Sequence, residues 1–380
     1  MKKVEDGIEF ASNTKSLTIG VELEFQVLAK SSLDLTPRAN DLLTRTSLKE
    51  LTKEFFQSTI ELVTPIYNTI HEVEQYFKSV LPVLHHEGET LGLTFAGTGT
   101  HPFADYRDRL ITPTARYQSL VSKNRWLIRR MAVYGMHVHF GMKSGEECIK
   151  YHNFFLHLVP HMIALSASSP FWHGVNTELA ACRPTMYEAL PTAGIPYRFE
   201  SWKEFQSLVG RLIKTDSITS FKDLWWDIRP SPLLGTIEIR VCDGPPSLSE
   251  MLTITSFLHA AAHWFEENKN EWSLVESLDQ WVIRENKWRA IRNGLDAEII
   301  ISNTGETRSI RDDLERWVNK IGFYYTLLNY QGYYNDLGSI LALGNSSQRQ
   351  NKIFQTTNSL KEVAKLNNEE FISGRPSKVF

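Results

Sequence analysis

An α+β core followed by a helical elaboration is the architecture this sequence predicts, and three observations carry it. Four short segments before about residue 250 alternate apolar and polar residues with a period of two, as strands buried on one side do. Past that point the apolar spacing turns helical in MLTITSFLHAAAHWFEENK, WSLVESLDQWVIRENKWRAIRNGL and RSIRDDLERWVNKIGFYYTLL. No repeat, low-complexity tract or Gly/Ser linker separates the two parts. The expectation is therefore one catalytic unit over 1–380, with a sheet-bearing core over about 8–250 and a helical part over about 251–380.

Taken in order, TIGVELEFQV places Ile19, Val21, Leu23, Phe25 and Val27 on one side and Glu22, Glu24 and Gln26 on the other, a strand with both carboxylates on one face. STIELVTP sets Glu61 opposite Ile60 and Leu62, and GMHVHFGM sets His137 and His139 opposite Met136, Val138 and Phe140. GTIEIRVCD repeats the pattern, with Ile237, Ile239 and Val241 against Glu238, Arg240 and Cys242. In the helical part, Ser247 and Glu250 form an S-x-x-E capping box that marks the start of its first helix.

Composition narrows the function classes. With 41 Lys+Arg against 44 Asp+Glu the formal net charge is -3, so no global positive field holds a polyanion and nucleic acid is not an expected partner. At 42% hydrophobic and 22% charged residues the chain is globular rather than disordered. Cys148, Cys182 and Cys242 are odd in number and include no C-x-x-C pair, which argues against a disulfide framework or a thiolate zinc site and fits a reducing compartment. MKKVEDGIEF carries acidic residues where a signal peptide needs an apolar stretch, and FFLHLVPHMIAL is too short and interrupted to span a bilayer. A cytoplasmic protein without a membrane partner is expected.

Any one of the four strands could turn its polar side to water. Solvated faces, however, are usually filled with Thr, Ser and Lys, whereas these concentrate Glu, His and Arg and contain no Lys. Same-face neighbours lie roughly 7 Å apart along a strand, and like charges across strands repel, so the cluster needs a counter-charge. Hard carboxylate oxygens suit Mg²⁺ or Mn²⁺, and an imidazole is accepted more readily by Mn²⁺. Metals held this way bridge nucleotide phosphates, with Arg240 placed to stabilise a transferring group. The pattern predicts a metal-dependent enzyme built on a sheet and leaves its substrate open.

In order along the chain, TIGVELEFQV, STIELVTP, GTGTHPF, GMHVHFG, CRP and WWDIRPSPLLGTIEIRVCD resemble the carboxylate-amine ligases of the type 2 glutamate-cysteine ligase family, over roughly residues 16 to 265. The resemblance implies a glutamine synthetase-like fold, in which a curved, mainly antiparallel sheet with flanking helices forms the floor of a funnel for ATP, divalent metal and amino acid. It also implies ATP-dependent amide formation. The γ-carboxylate of glutamate is phosphorylated and an amine, such as that of cysteine, attacks the acyl phosphate; relatives of this kind are often only weakly active. By position, Glu22, Glu24, Glu61, His137 and Glu238 resemble the metal ligands. Arg240 resembles the group that contacts the phosphate or acyl phosphate, and with Glu238 forms the expected catalytic pair. Arg229 is the candidate for nucleotide or substrate carboxylate, since its planar fork suits bidentate anion binding. Thr100, His101 and Arg183 are placed at the rim of the site, with turn or packing roles as the alternative. The resemblance leans toward a homodimer.

One departure stands out. Relatives often carry a further acid four positions before the equivalent of Glu61, where this chain has Gln57, which can ligate a metal but adds no charge. Glu54, at an odd spacing from Glu61, is expected to point elsewhere if the strand extends that far. Other tempting signals are set aside. His157/His161 and His259/His263 have i, i+4 spacing, but HAAAH lacks the zincin glutamate and LHLVPH holds a proline that disturbs a helix, so packing or capping roles are expected. GTGTH matches neither phosphate-binding glycine loop. Cys242 is expected to be a buried thiol rather than a nucleophile. Trp264, Trp272, Trp281, Trp288 and Trp317 are expected to pack helices or form a dimer face.

The leading expectation is thus an ATP- and Mg²⁺- or Mn²⁺-dependent carboxylate-amine ligase acting on small molecules, glutamate and an amine such as cysteine. Two alternatives stay open: a phosphotransferase of the guanidino-kinase type, and a non-catalytic nucleotide or amino-acid binding protein, for which Gln57 is the hint.

Overall fold

Seven strands form the main sheet of the protein: β1 (Ile19–Ala29), β2 (Leu51–Lys53), β3 (Thr59–Val63), β4 (Leu93–Ala96), β5 (Met136–Gly141), β6 (Ile228–Ser231) and β7 (Thr236–Ile239). The structure is a computed structural model that describes residues 8–273 and 277–378. The expected absence of a leader over residues 1–7 and residues 274–276, near the start of the helix expected over 272–295, therefore lie outside the described residues.

The longest alternating segment becomes the hub. β1 pairs with β5 along residues 19–23, with β3 along 22–26 and with β4 along 26–29, giving the order β6-β7-β5-β1-β3-β2 with β4 alongside β1. Every pairing in this sheet is antiparallel, and the α+β class expected from the sequence is present. Gly235 closes the β6–β7 hairpin at φ +66°, where any side chain would strike the Ala11 carbonyl.

Ile19, Val21, Leu23, Phe25 and Val27 of β1 and their counterparts Ile60, Leu62, Met136, Val138, Phe140, Ile237 and Ile239 are at most 5% exposed, and each stabilises the fold by about 1.5–3 kcal/mol. They face helices α1 (Ile70–Thr90), α2 (Gly145–Ser166) and α3 (Leu248–Glu267). α2 and α3 are apolar almost all round because a further layer covers them: α4 (Gln280–Asn293) packs on α2, and α5 (Ile310–Leu327) and α6 (Gln331–Leu343) pack on α3. Finally α7 (Ser346–Thr357) and α8 (Leu360–Ser373) pack together, and α8 covers β4. The whole helical part therefore lies behind the sheet and leaves its polar face free.

Several local expectations need correction. α2 runs unbroken through Pro160, because burial on both sides outweighs a cost of about 3 kcal/mol. Ser247 caps α3, yet the Glu250 carboxylate does not reach back to complete the box; it is held by Ser247 Oγ and Arg349 instead. β7 ends at Ile239, and past it the register against β5 slips by one residue, from Ile239 opposite Val138 to Asp243 opposite Gly135, so Cys242 turns into the core rather than onto the polar face. Trp264, Trp272 and Trp317 pack edge to face behind α2, whereas Trp281 and Trp288 are exposed. No helix among the described residues is long and apolar enough to cross a membrane.

Candidate active site

Strand register assembles the polar face. Glu22 lies beside His137, Glu24 beside Glu61, Glu238 beside His139 and Arg229 beside Glu238. Together with Arg240 and Arg183 these side chains line one cavity of about 480 Å³. Thr100 and His101 are not brought to it. Thr100 Oγ1 donates to the Phe171 carbonyl, while His101 bonds the Leu33 carbonyl and accepts from the Ala104 N–H, so both are buried turn-holding groups away from the cavity.

One half of the cavity is charge-paired. Arg229 donates to Glu238 through Nε at 2.8 Å and Nη2 at 2.6 Å, and Arg240 donates to the other oxygen of the same carboxylate. Burial alone would raise the Glu238 pKa, but these two guanidiniums hold it far below the usual carboxylate range. Glu22 meets His137 Nδ1 at 3.0 Å and His139 Nε2 at 3.2 Å. Burial again opposes, and the two imidazoles prevail, keeping Glu22 well below its ordinary value. His137 is pushed down to about 4 by burial and by Arg240, while His139 is raised because Glu238 and Glu22 outweigh its burial.

The other half is not paired. Glu24, Glu54 and Glu61 make no salt bridge among the described residues; their acceptors meet only the Gly135 N–H, the Phe55 N–H and Thr52 Oγ1. Burial and mutual repulsion push Glu24 up to about 7, raise Glu54, and raise Glu61 well above its ordinary value. Carboxyls in this condition are a latent cation site. Two sets, Glu22 with Glu61 and His137, and Glu22 with His139 and Glu238, bring their ligand atoms within 4.8 Å of one another. Oxygen-rich sets with one imidazole fit Mg²⁺ or Mn²⁺, so the residues present suit the expected ions.

Arg183 supplies the missing contrast. It is buried and lies over the Tyr187 ring; among the described residues its guanidinium hydrogen-bonds only the Arg240 and Val241 carbonyls, at 3.4 Å, and its Nε has no partner. Gly135 stands against it, since a Cβ there would collide with the Arg183 guanidinium, and the same glycine donates its N–H to Glu24.

Two groups escaped the sequence reading. Glu54 does point into the cavity, against expectation, because the strand containing Glu61 stops at Thr59 and Glu54 follows the parity of β2 instead. Thr52 lies opposite Glu61, and Glu54, two residues on, keeps that face. Gln57 bonds the Ile111 carbonyl outside the cavity. Beneath the floor, fully buried Asp227 accepts from the hydroxyl of Tyr187, a cavity residue, and from Lys287 Nζ at 2.7 Å. Asp227 was visible within WWDIRPSP, but Lys287 comes from α4, where no motif pointed to it.

The sequence profile described as Glutamate-cysteine ligase family 2 matches residues 18–365. A relative from Bdellovibrio bacteriovorus, named "Putative glutamate-cysteine ligase 2", is 40% identical over 348 residues, covering 91% of this chain and 92% of its own. One of the same name from Gloeobacter violaceus is 38% identical over 361 residues, covering 94% and 97%. Among solved structures, the fold is similar to that of a glutamate-cysteine ligase from Francisella tularensis in complex with AMP, with a TM-score of 0.66 at 12% identity over 95% of this chain and 90% of that one. It is similar as well to a bifunctional glutathione synthetase from Pasteurella multocida, with a TM-score of 0.63 at 14% identity over 94% of this chain and 52% of that one.

Proposed function

The chain belongs to glutamate-cysteine ligase family 2, and from that premise we propose that it is an ATP-dependent carboxylate-amine ligase that takes glutamate as carboxylate donor and forms an amide through an acyl phosphate. The observation that carries the reading is the division of a single cavity. Three unpaired carboxyls stand next to a paired Arg229–Glu238–Arg240 array and an unsatisfied Arg183, so cation and anion sites adjoin.

In this reading Glu22, Glu61 and His137 would hold one divalent ion and Glu22, His139 and Glu238 another, with Glu24 and Glu54 extending the oxygen donor set. When bound, Mg²⁺ or Mn²⁺ supplies positive charge that neutralises phosphate oxygens. Arg240 is anchored by Glu238 and faces the transferring phosphoryl group, where a fixed charge is effective because it needs no reorganisation. Arg229 braces Glu238 from the other side. Arg183, buried with a free donor, suits the α-carboxylate of an amino acid. A γ-carboxylate oxygen of glutamate bonds the γ-phosphorus of ATP as ADP leaves. The amine nitrogen then bonds the acyl carbon, phosphate departs with the C–O electron pair, and the amine proton passes to a carboxylate of the floor. Because Lys287 of the helical part holds Asp227, whose other partner Tyr187 lines the cavity, the reading treats sheet and helices as one catalytic unit.

The binding-protein alternative drew on Gln57, and with Glu54 on the floor it loses that support. Incubation with ATP, Mg²⁺ or Mn²⁺, glutamate and a panel of amines is expected to release ADP and phosphate with a condensed amide visible by mass spectrometry. A stable phosphorylated product would replace the ligase with a phosphotransferase. ATP binding without ADP release for any carboxylate-amine pair would sink the catalytic reading.

A further inference from the structure

The cavity has two unlike ends, and the difference bears on the amine acceptor. At one end, Lys222 and Arg229 stand beside the rings of Phe221 and Trp225 and the exposed hairpin tip at Leu233 and Leu234. Cations next to flat apolar groups suit the phosphates and base of a nucleotide. At the other end the lining is Phe55, Tyr117, Leu120, Ile128, Met131 and Val133. Tyr117 and Leu120 are three residues apart on the helix Ala115–Asn124 and so share a face. Phe55 meets Tyr117 edge to face at 5.4 Å, and its neighbour Glu54 joins this wall directly to the acidic floor. Arg116, at the mouth, is the one charged side chain among the cavity residues from 115 to 133.

We infer that this apolar wall receives the acceptor amine, and that the acceptor is an amine or amino acid carrying a bulky aliphatic or aromatic group rather than a small or polar one. The inference depends on the ligase reading of the same cavity. With the nucleotide assigned to the cationic end, the wall is the remaining surface beside the floor where the acyl phosphate forms. A polar side chain placed there loses its hydrogen bonds to water and finds only the Tyr117 hydroxyl as a strong hydrogen-bonding group among these six side chains. An apolar one gains about 10-fold or more in kcat/KM for each methylene that the wall covers.

The test separates the two readings by using hydroxylamine, which traps an acyl phosphate without needing the wall. Glutamate, ATP and Mn²⁺ are supplied with hydroxylamine, and in parallel with phenethylamine, leucine, phenylalanine, glycine, serine and cysteine. The inference expects glutamyl hydroxamate, and at least a 10-fold higher kcat/KM for the leucine- and phenyl-bearing acceptors than for glycine, serine or cysteine. It also expects the ratio of apolar-amine to hydroxylamine turnover to fall at least 10-fold in Leu120→Asn and in Met131→Gln, each a separate check in case the other fails to fold. Hydroxamate formation with glycine, serine or cysteine preferred, or with unchanged ratios in both variants, overturns the acceptor assignment and leaves the ligase standing. Absence of both hydroxamate and ADP overturns both.

Discussion

Arg349 on α7 sits behind the sheet between Glu250 and Glu370, much as Arg229 and Arg240 flank Glu238 on its other face. In the hidden cluster Arg349 donates to Glu250 at 2.8 Å and to Glu370 at 2.7 Å, and all three residues are at most 3% exposed. Ser247 Oγ and the Ser377 N–H add donors, so every carboxylate oxygen of the trio has a partner. Both places hold a carboxyl pushed up to about 7, Glu370 by burial against the pull of Arg349 and Glu24 by burial together with Glu54. Acid density and raised pKa are therefore common to the two. Only the floor pairs them with acceptors left over and an open cavity, and that surplus separates a site from a structural knot.

The comparison can be broken at several points. Glu22→Gln or Glu238→Gln should lower ADP release by about 10³-fold or more while the protein still folds, Glu238→Gln with a lower thermal midpoint because Arg229 and Arg240 lose their carboxylate; unchanged turnover in both would remove the floor from the chemistry. Arg349→Met should do the reverse, costing about 3–5 kcal/mol in denaturant unfolding by leaving two buried carboxyls without their cation. Adding Glu250→Gln and Glu370→Gln to that variant should recover most of the loss, and no recovery would contradict the ion-pair account. Mn²⁺ at about 100 times its Kd should stabilise the protein by about 2.7 kcal/mol. That gain should shrink in Glu54→Gln and Glu61→Gln but persist in Arg349→Met; equal shifts in all would place the ion elsewhere.

The smallest effect concerns histidines that belong to neither cluster. Burial holds His101, His152 and His157 down to about 4 and His259 to about 3. The unfolded chain then takes up their protons first, so their stability is present above about pH 6.5 and is lost as pH falls toward 4. The loss is about 2 kcal/mol per group at pH 5. Thermal midpoints measured from pH 7 to 5 should fall, and His152→Gln should flatten the slope; a midpoint indifferent to pH would discount these histidines.

Parity along single strands was enough to gather Glu22, Glu24, Glu61, His137, Glu238 and Arg240, because a two-residue period survives wherever the strand does. It failed where strands end. Glu54 was misplaced by extending β3 beyond Thr59, and Cys242 by extending β7 past Ile239. Arg183 was legible only through the CRP motif, and Thr100 and His101 in GTGTHPF were drawn into the site by a motif although their hydrogen bonds serve a loop. Lys287 could not be found this way, since its partner lies 60 residues earlier and a helical pattern does not say which lysine turns inward.

Gly135 has one more consequence. Its peptide nitrogen holds Glu24 while its missing side chain makes room for Arg183, so a negative and a positive group are spaced from a single backbone point, like the jaws of a caliper. Any shift at the entry of β5 therefore alters the hold on Glu24 and the room left for Arg183 at the same time.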